Sequence, residues 1–438
     1  MTVFGIAAID EAFSAANGGQ ARLVVAKGDL VTPLAREQAK DAGVEIVIVE
    51  SRVGRESEAR HEPQRQDRLP RPALRGSSLG AEAPPLPSPP SPAFYRRGAP
   101  VEPIKLPRGS SSARSRAPSS APIARIERVV VVGAGHVGTI TAMRLAESDL
   151  IDEIVLVDVA DGLAEGMALD ISHSASLLGF TTSMRGERTI ETAGQAAYTV
   201  ITAGKARQPG MSRGDLATTN AAIVGSLARE IARISPAGVI LVVTNPLDEM
   251  TEHAWRVSGL PSSRVIGMAG VLDTARFASL VGQTGIARAD EVHGLALGSH
   301  GHEMVIPKSL AQANGKPLAE HVDTSTLDTI IMRTRDSGAE VVGLLKSGSA
   351  FITPGLSAAQ MVIKMIREDD SIISATVRPS GEYGIDGTYI GLPVRLGQNG
   401  LRSILEVELA PNELQALSVA AAKLTDRMLA DSTSQTSA

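Results

Sequence analysis

The sequence contains no cysteine, which excludes disulfide bonds, thiol nucleophiles and metal sites built on cysteine. It also lacks an apolar run of about 18 residues, so we expect no membrane-spanning helix and no membrane partner. The formal net charge of -5 gives no reason to expect a nucleic acid as a partner. No basic start precedes an apolar core at the N-terminus, and Asp10 and Glu11 argue against a transit peptide. We therefore expect a cytoplasmic protein.

The residues that are present divide the chain by composition. Its 438 residues suffice for two or three domains, and 43% hydrophobic with 21% charged residues is ordinary for a globular protein. Residues 51–123 differ, because they are rich in proline, serine, arginine and alanine and include LPSPPSP. Such a segment buries too little apolar surface to offset the entropy of the chain. We predict a disordered linker over 51–123.

The residues before this linker have a pattern of their own. It predicts a short amphipathic helix within 1–17, a strand at 22–26, a helix at 34–42 and a strand at 44–49. The stretch KGDLVTPLAREQAKDAGVEIVIVE resembles a segment that recurs in proteins associated with bacterial microcompartments. The strand–helix–strand pattern predicts a small βαβ-like module at residues 1–50, and the resemblance implies that this module binds a microcompartment or assembly partner.

A glycine-rich stretch, RVVVVGAGHVG, begins at Arg128. Its four valines suit a strand buried on both faces, as in a parallel sheet. In the loop that follows, Gly133 makes the tight turn, Gly135 lets the backbone approach a pyrophosphate, and Gly138 lets the next helix pack closely. We expect the following residues to bind a dinucleotide: Gly133, Ala134, Gly135, His136, Val137 and Gly138.

An acidic residue after the second strand supports this interpretation. Asp158 follows a strand predicted at 153–157 and stands 20 residues beyond Gly138. Its carboxylate is placed to accept hydrogen bonds from a ribose diol and would repel a 2′-phosphate. The expected cofactor is therefore NAD rather than NADP.

Strands and helices go on alternating, with further strands predicted at 198–202, 239–243 and 265–266. This alternation predicts an α/β fold with a doubly wound parallel sheet. Ligands of such sheets bind outside the carboxyl ends of the strands, so we expect the chemistry there.

Several motifs occur there in a fixed order. AGKARQPGMSR follows the third strand, VTNP follows the fourth, and LDTAR, LGSHGH and GEYGIDGTYIGLPVRLGQNG come later. Over about residues 127–433 the chain resembles the lactate/malate dehydrogenase superfamily, in particular its lactate-dehydrogenase-like malate dehydrogenases. The resemblance implies a Rossmann NAD-binding domain at 124–271, an α+β catalytic domain at 272–433 and a disordered tail at 434–438.

The catalytic residues follow from the chemistry and the resemblance together. Oxidation of a 2-hydroxy acid needs a base for the hydroxyl proton, and histidine suits this role since its pKa lies near neutrality. The resemblance assigns the base to His300 and its orienting partner to Asp273, which could also be read as a helix N-cap. It implies that Arg276, three residues further along a helix, holds the C1 carboxylate of the substrate.

The resemblance assigns the choice of substrate to Arg207. The family has glutamine here in lactate dehydrogenases and arginine in malate dehydrogenases, so Arg207 would pair with the second carboxylate of malate or oxaloacetate. A one-residue shift would place Gln208 there instead, although Pro209-Gly210 favours Arg207. Arg213 matches the arginine that polarises the reacting carbonyl.

Three further residues are assigned by the same resemblance. Asn245 contacts both substrate and cofactor, with a cis bond to Pro246, and Asn220 contacts the cofactor. Val243 lines the nicotinamide side. One position departs from the family, since His302 stands where aspartate usually follows the HG pair.

The implied activity is reversible NAD-dependent oxidation of (S)-malate to oxaloacetate, a reaction of the tricarboxylic acid cycle, in a homodimer or homotetramer. No metal site is predicted. The closest alternative is a lactate or broader 2-hydroxy-acid dehydrogenase. An inactive scaffold with the same fold is an alternative of another class, and the intact His300, Asp273 and three arginines argue against it.

Overall fold

The N-terminal unit consists of short strands and helical segments. Its elements are β1 (Val3–Phe4), β2 (Arg22–Ala26), β3 (Leu30–Val31), α1 (Pro33–Asp41) and β4 (Glu45–Val49). Strand β2 pairs with β4 in parallel, and β1 pairs with β3 in the same way. Val25, Ala35 and Val44 belong to the buried apolar cluster of this unit. The strand–helix–strand order matches the prediction.

The predicted helix within residues 1–17 is wrong at its beginning. Residues 8–9 and 12–13 are helical, but Val3–Phe4 is a strand in register with Leu30 and Val31. Pairing with a distant segment overrides the local apolar spacing, as is common for strands.

The structure is a computed structural model. It describes residues 3–4, 8–9, 12–13, 21–26, 30–31, 33–49, 125–205, 213–346 and 348–435. The predicted linker lies outside the described residues. The predicted tail is wrong at 434–435, which end the helix Pro411–Gln435. Extending an existing helix by one residue costs far less than starting one, so a polar tail can continue it.

The valine run forms the centre of a parallel sheet. The strands of this sheet are β5 (Ile126–Val132), β6 (Ile151–Val157), β7 (Ser183–Glu187), β8 (Tyr198–Ile201), β9 (Val239–Val242) and β10 (Val265–Gly267). They lie in the order β7-β6-β5-β8-β9-β10 and pair in parallel throughout. This order is that of a doubly wound dinucleotide-binding sheet, which confirms the predicted fold class.

The four valines are buried because both faces of the sheet are covered. Val129 and Val131 belong to one apolar cluster, and Val130 and Val132 belong to another. The helices of this half are α2 (His136–Glu147), α3 (Leu163–His173), α4 (Ala175–Leu178), α5 (Ile190–Ala193), α6 (Arg213–Ile234) and α7 (Leu247–Ser258). Helices α2 and α3 contribute to the first cluster, and α5, α6 and α7 contribute to the second.

The second half of the body extends the same sheet. Its helices are α8 (Gly270–Gln283), α9 (Thr324–Leu345), α10 (Ile352–Arg367) and α11 (Pro411–Gln435). Its strands are β11 (Val292–His293), β12 (Leu297–Gly298), β13 (Met304–Val305), β14 (Gln312–Ala313), β15 (Lys316–Pro317), β16 (Ile373–Val377), β17 (Ile390–Gly397) and β18 (Gly400–Ile404).

An antiparallel pairing joins the two halves. Gly267 of β10 is in register with Thr376 of β16, and β17, β12 and β13 continue the sheet in antiparallel order. A Cβ at Gly267 would lie 2.8 Å from Cβ of Thr376, so the junction admits little more than glycine. The helices seen in the described part of the chain include none that is long and apolar enough to cross a membrane.

Candidate active site

The loop after β5 is tight on one side and open on the other. Gly133 has a φ of +102°, in the left-handed region that favours glycine. A Cβ at Gly138 would lie 1.8 Å from the carbonyl oxygen of Gly133, so glycine alone allows α2 to approach the loop. A Cβ at Gly135 would meet no atom within 4 Å. The start of α2 therefore faces open space, where backbone N–H groups bind phosphate.

Asp158 lies beside this loop at the end of β6. Its Oδ2 accepts a 2.8 Å hydrogen bond from the backbone N–H of Ala134, and its Oδ1 accepts a 2.9 Å bond from that of Ala160. Each carboxylate oxygen keeps a lone pair for a ribose hydroxyl. An open glycine cradle and an oriented acid fit the pyrophosphate and the ribose of a dinucleotide.

Asn220 ties together the loops that follow β8 and β9. It is 1% exposed, and its Nδ2 donates to the carbonyl oxygens of Lys205 at 3.1 Å and Asn245 at 2.7 Å. Its Oδ1 accepts from the backbone N–H of Lys205 at 2.8 Å. The structure thus uses this amide to position the Asn245 backbone. The Asn245-Pro246 bond is cis, and Val243 is buried just before it.

His300, Asp273 and Arg276 form one hydrogen-bonded cluster. Nδ1 of His300 lies 2.7 Å from Oδ2 of Asp273, and Nη1 of Arg276 donates to Oδ1 of Asp273 at 3.1 Å. The Asp273 side chain is 2% exposed and that of His300 is 18% exposed. Burial alone lowers the pKa of His300, but the charge and hydrogen bond of Asp273 outweigh it and raise that pKa above its ordinary value.

Helix α8 brings Asp273 and Arg276 together. Asp273 is inside the helix, with Ala269 at the N-cap, so its reading as an N-cap is wrong. The helix begins tightly against β16, since a Cβ at Gly270 would lie 2.0 Å from Oγ of Ser374. This close start fixes the position of the first turn, which carries Asp273.

The loop that carries His300 turns at two glycines. Gly298 has a φ of +80° and Gly301 a φ of +147°, and both values disfavour other residues. The backbone N–H of His300 donates to Oδ2 of Asp248 at 2.9 Å. Asp248 stands in the first turn of α7, which follows β9, so the His300 backbone is tied to the carboxyl end of the parallel sheet.

Asp248 was not among the predicted site residues. It is 1% exposed and also accepts hydrogen bonds from the hydroxyls of Ser299 and Thr376. An acid in the first turn of a helix is common because the helix dipole favours it, so the sequence does not single this one out. Only its burial and its hydrogen-bond partners do so.

The structure describes two of the three predicted substrate-binding arginines. Arg276 lies in the cluster described above. Arg213 is the first residue of α6, after the loop that follows β8. Arg207 lies outside the described residues. Among the residues that are described, no three His, Asp or Glu side chains come together as a metal site would require.

A sheet of this order binds dinucleotides at the carboxyl ends of its strands, where a histidine with an aspartate partner is also held. A dinucleotide and a proton acceptor are together what hydride transfer from an alcohol requires. Fold and site therefore define a dehydrogenase.

Comparison with known proteins identifies the family. A model described as lactate/malate dehydrogenase, NAD binding domain, matches residues 127–267. A second, described as lactate/malate dehydrogenase, alpha/beta C-terminal domain, matches residues 270–432. The chain belongs to the lactate/malate dehydrogenase family.

Individual relatives agree with this assignment. A malate dehydrogenase of Pelodictyon phaeoclathratiforme is 41% identical over 295 residues, which are 67% of this chain and 95% of the relative. One from Trichormus variabilis is 41% identical over 309 residues, or 70% of this chain and 95% of the relative.

Solved structures show the same fold. The malate dehydrogenase of Salinibacter ruber has a TM-score of 0.66 at 36% identity and covers 70% of this chain and 97% of its own. A lactate dehydrogenase of Cryptosporidium parvum has a TM-score of 0.67 at 31% identity, with coverages of 70% and 98%. The comparisons confirm the predicted resemblance, and the chain is an NAD-dependent oxidoreductase.

Proposed function

We propose that this chain is a malate dehydrogenase that reversibly oxidises (S)-malate to oxaloacetate, with His300 as general base and acid. The observation that carries the proposal is the buried cluster in which one carboxylate, that of Asp273, holds both His300 and Arg276. One residue for the proton and one for a carboxylate are thereby fixed relative to each other. The names of the relatives, malate dehydrogenases throughout the similar sequences cited above, support the choice of substrate.

The proton step follows from the hydrogen bonds of His300. Because Asp273 engages Nδ1, the other ring nitrogen, Nε2, exchanges the proton with the substrate. In malate oxidation Nε2 accepts the hydroxyl proton, and Asp273 stabilises the imidazolium that forms. In oxaloacetate reduction the same nitrogen returns the proton to the C2 oxygen. Bound NAD supplies the other half of the chemistry by exchanging a hydride with C2.

Substrate binding falls to the arginines. Arg276 spends one donor on Asp273, and its planar guanidinium keeps others for the C1 carboxylate. By resemblance, Arg207 binds the second carboxylate and Arg213 stabilises charge on the C2 oxygen. Pyruvate lacks the second carboxylate and would leave the Arg207 guanidinium without a partner, which disfavours it.

The cofactor residues are those of the glycine loop, residues 133–138, together with Asp158. The loop would hold the pyrophosphate and Asp158 the ribose diol. Val243 and Asn245 would line the nicotinamide side. For Asn220 the hydrogen bonds to Lys205 and Asn245 favour a role in shaping this wall.

The test is kcat/KM for oxaloacetate against pyruvate with NADH, in the wild type and in Arg207→Gln. We expect the wild type to prefer oxaloacetate and the variant to lose at least about tenfold of that preference, as expected for an unpaired buried charge. Arg402→Gln is the control, because Arg402 is 50% exposed and pairs with an exposed aspartate. A wild type that prefers pyruvate would instead be a lactate or broader 2-hydroxy-acid dehydrogenase.

We also propose that the enzyme is a homodimer or homotetramer. Large apolar side chains are exposed on and before α3 and α4, with 84% exposure for Val159, 58% for Leu169 and 85% for Leu177. Exposed apolar side chains of this size favour burial against a second copy. Sedimentation of the wild type and of Leu177→Lys tests this: a smaller species is expected for the variant, and a monomeric wild type contradicts it.

For the N-terminal unit we propose an assembly or localisation role, in the cytoplasm or within a bacterial microcompartment. Its support is the sequence resemblance of the segment that contains α1 and β4. Localisation of the full chain is to be compared with that of residues 124–438. Identical distributions would remove the proposal, whereas loss of activity in a folded truncation would indicate a contribution to the enzyme itself.

A further inference from the structure

The carboxylate of Asp248 joins three separate parts of the fold. It lies in the first turn of α7, and its Oδ2 receives the backbone N–H of His300 and the hydroxyl of Ser299, each at 2.9 Å. Its Oδ1 receives the hydroxyl of Thr376, in β16, also at 2.9 Å. The loop that carries His300 is thereby fixed to α7, which follows β9, and to β16, the strand that joins the two halves.

The hydroxyl hydrogen of Ser299 has a defined direction. Nη2 of Arg427, in α11, lies 3.2 Å from Oγ of Ser299. A guanidinium only donates, so Oγ accepts from Arg427 and gives its single hydrogen to Asp248. Oδ2 of Asp248 therefore faces two donors, one from each of two consecutive residues, and holds the Ser299–His300 segment at two points.

We propose that Asp248 is a positioning residue: by accepting a hydrogen bond from the peptide N–H of His300, it sets the position and orientation of the His300 ring. The inference rests on the proposed role of His300 as the base. The hydrogen bond between His300 and Asp273 is the contact that depends on it, because Asp273 is fixed separately through the start of α8. A shift of the His300 backbone would lengthen that contact while leaving Asp273 in place.

The hold on His300 does not require Asp248 to be ionised. Burial, and then the charge of Glu249, raise the pKa of Asp248. Any proton it takes goes to Oδ1, toward Thr376, because Oδ2 already faces two donors. Among the described residues, the other charged groups around Asp248 and His300 are Asp273 and Arg276 of α8, Glu303 after the loop that carries His300, and Arg427 of α11.

The experiment compares Asp248→Leu, which removes every acceptor, with Asp248→Asn, whose amide oxygen can replace Oδ2 and whose NH2 can donate to Thr376. For Asp248→Leu we expect kcat to fall about a hundredfold, the lower end of what a general acid or base supplies. NADH affinity should change less than about threefold, since the dinucleotide loop is elsewhere. Asp248→Asn should restore kcat to more than a tenth of the wild-type value.

A second readout does not depend on turnover. The imidazole of His300 is titrated by NMR without substrate in each protein. In Asp248→Leu its pKa should move downward, and further than in Asp248→Asn, because both variants lose the charge of Asp248 but only the leucine also weakens the contact with Asp273 that raises it. If oxaloacetate is not turned over by the wild type, the proposed function fails while this titration still tests the inference.

Milder variants cover the case in which Asp248→Leu does not fold. Thr376→Val frees Oδ1 and should lower kcat several-fold, while Thr251→Val is the control, since that buried hydroxyl bonds within α7. Equal kcat in these two variants overturns the inference. So does a folded Asp248→Leu with kcat within about threefold of the wild type, or an Asp248→Asn as impaired as the leucine variant.

Discussion

Replacing Asp273 by asparagine changes which nitrogen of His300 carries the proton. Arg276 donates to Oδ1 of Asp273, and a guanidinium has no acceptor, so the amide oxygen of the new side chain must face Arg276. Its NH2 group is then turned toward Nδ1 of His300, which has to accept. The neutral ring would carry its hydrogen on Nε2, the nitrogen that should receive the substrate proton, so the wrong tautomer is favoured.

Loss of charge adds to the wrong tautomer. Two opposite unit charges about 4 Å apart at an effective dielectric constant of about 20 attract by about 4 kcal/mol. At about 1.4 kcal/mol per factor of ten, that interaction corresponds to about 10³ in rate for a step that charges the imidazole. The low exposure of both side chains, 2% and 18%, supports a low effective dielectric. We therefore expect Asp273→Asn to lower kcat for malate oxidation by about 10³-fold or more.

The assay follows NADH formation from malate across a range of pH. Since Asp273 raises the pKa of His300, wild-type oxidation should increase as pH rises through that pKa, and oxaloacetate reduction should decrease. Asp290→Asn is the control, because its carboxylate is exposed and pairs with exposed Arg288. A folded Asp273→Asn that binds NADH and keeps more than a tenth of kcat would refute the reasoning.

Three further outcomes are expected. Gly138→Ala should weaken NADH binding at least about tenfold, because its Cβ would lie 1.8 Å from a carbonyl oxygen. Gly343→Ala, whose Cβ would have no atom within 4 Å, should bind NADH normally, and equal NADH affinities of the two variants in fluorescence titrations contradict the prediction. His302→Asp introduces a carboxylate two residues from His300 along the chain and should shift the pH–rate profile to higher pH; superimposable profiles end the idea. Arg427→Met should lower the melting temperature, because it removes partners of Glu303 and Ser299; calorimetry showing no change contradicts it.

The parallel sheet could be predicted because its signals are local. A few neighbouring residues are enough to indicate the role of each signal: the four consecutive valines, the glycine loop and the acid after the next strand. Strand ends differed from the predicted ones by one or two residues: β6 begins at Ile151 rather than Glu153, and β8 ends at Ile201. Hydrogen bonding to neighbouring strands decides such boundaries, and the local sequence does not encode it.

Contacts between distant residues could not be predicted. Asp248 lies 128 positions from Thr376 along the chain, and no periodicity connects them. The same applies to β1, whose partner β3 is far along the chain. Asn220 was assigned to the cofactor by resemblance, yet its neighbours show an amide whose donors are used between two loops. Residue type, spacing and resemblance predicted the residues of the site, whereas packing decides what each one touches.

The pairing of Gly267 with Thr376 has a consequence for how the enzyme melts. The family models divide the chain between residues 267 and 270, beside this pairing. A single hydrogen-bonded sheet crosses that division. Unfolding of either half would therefore leave strand β10 or β16 of the other half without one of its hydrogen-bonded neighbours. We therefore expect the dehydrogenase body, although two family models cover it, to unfold in a single cooperative transition.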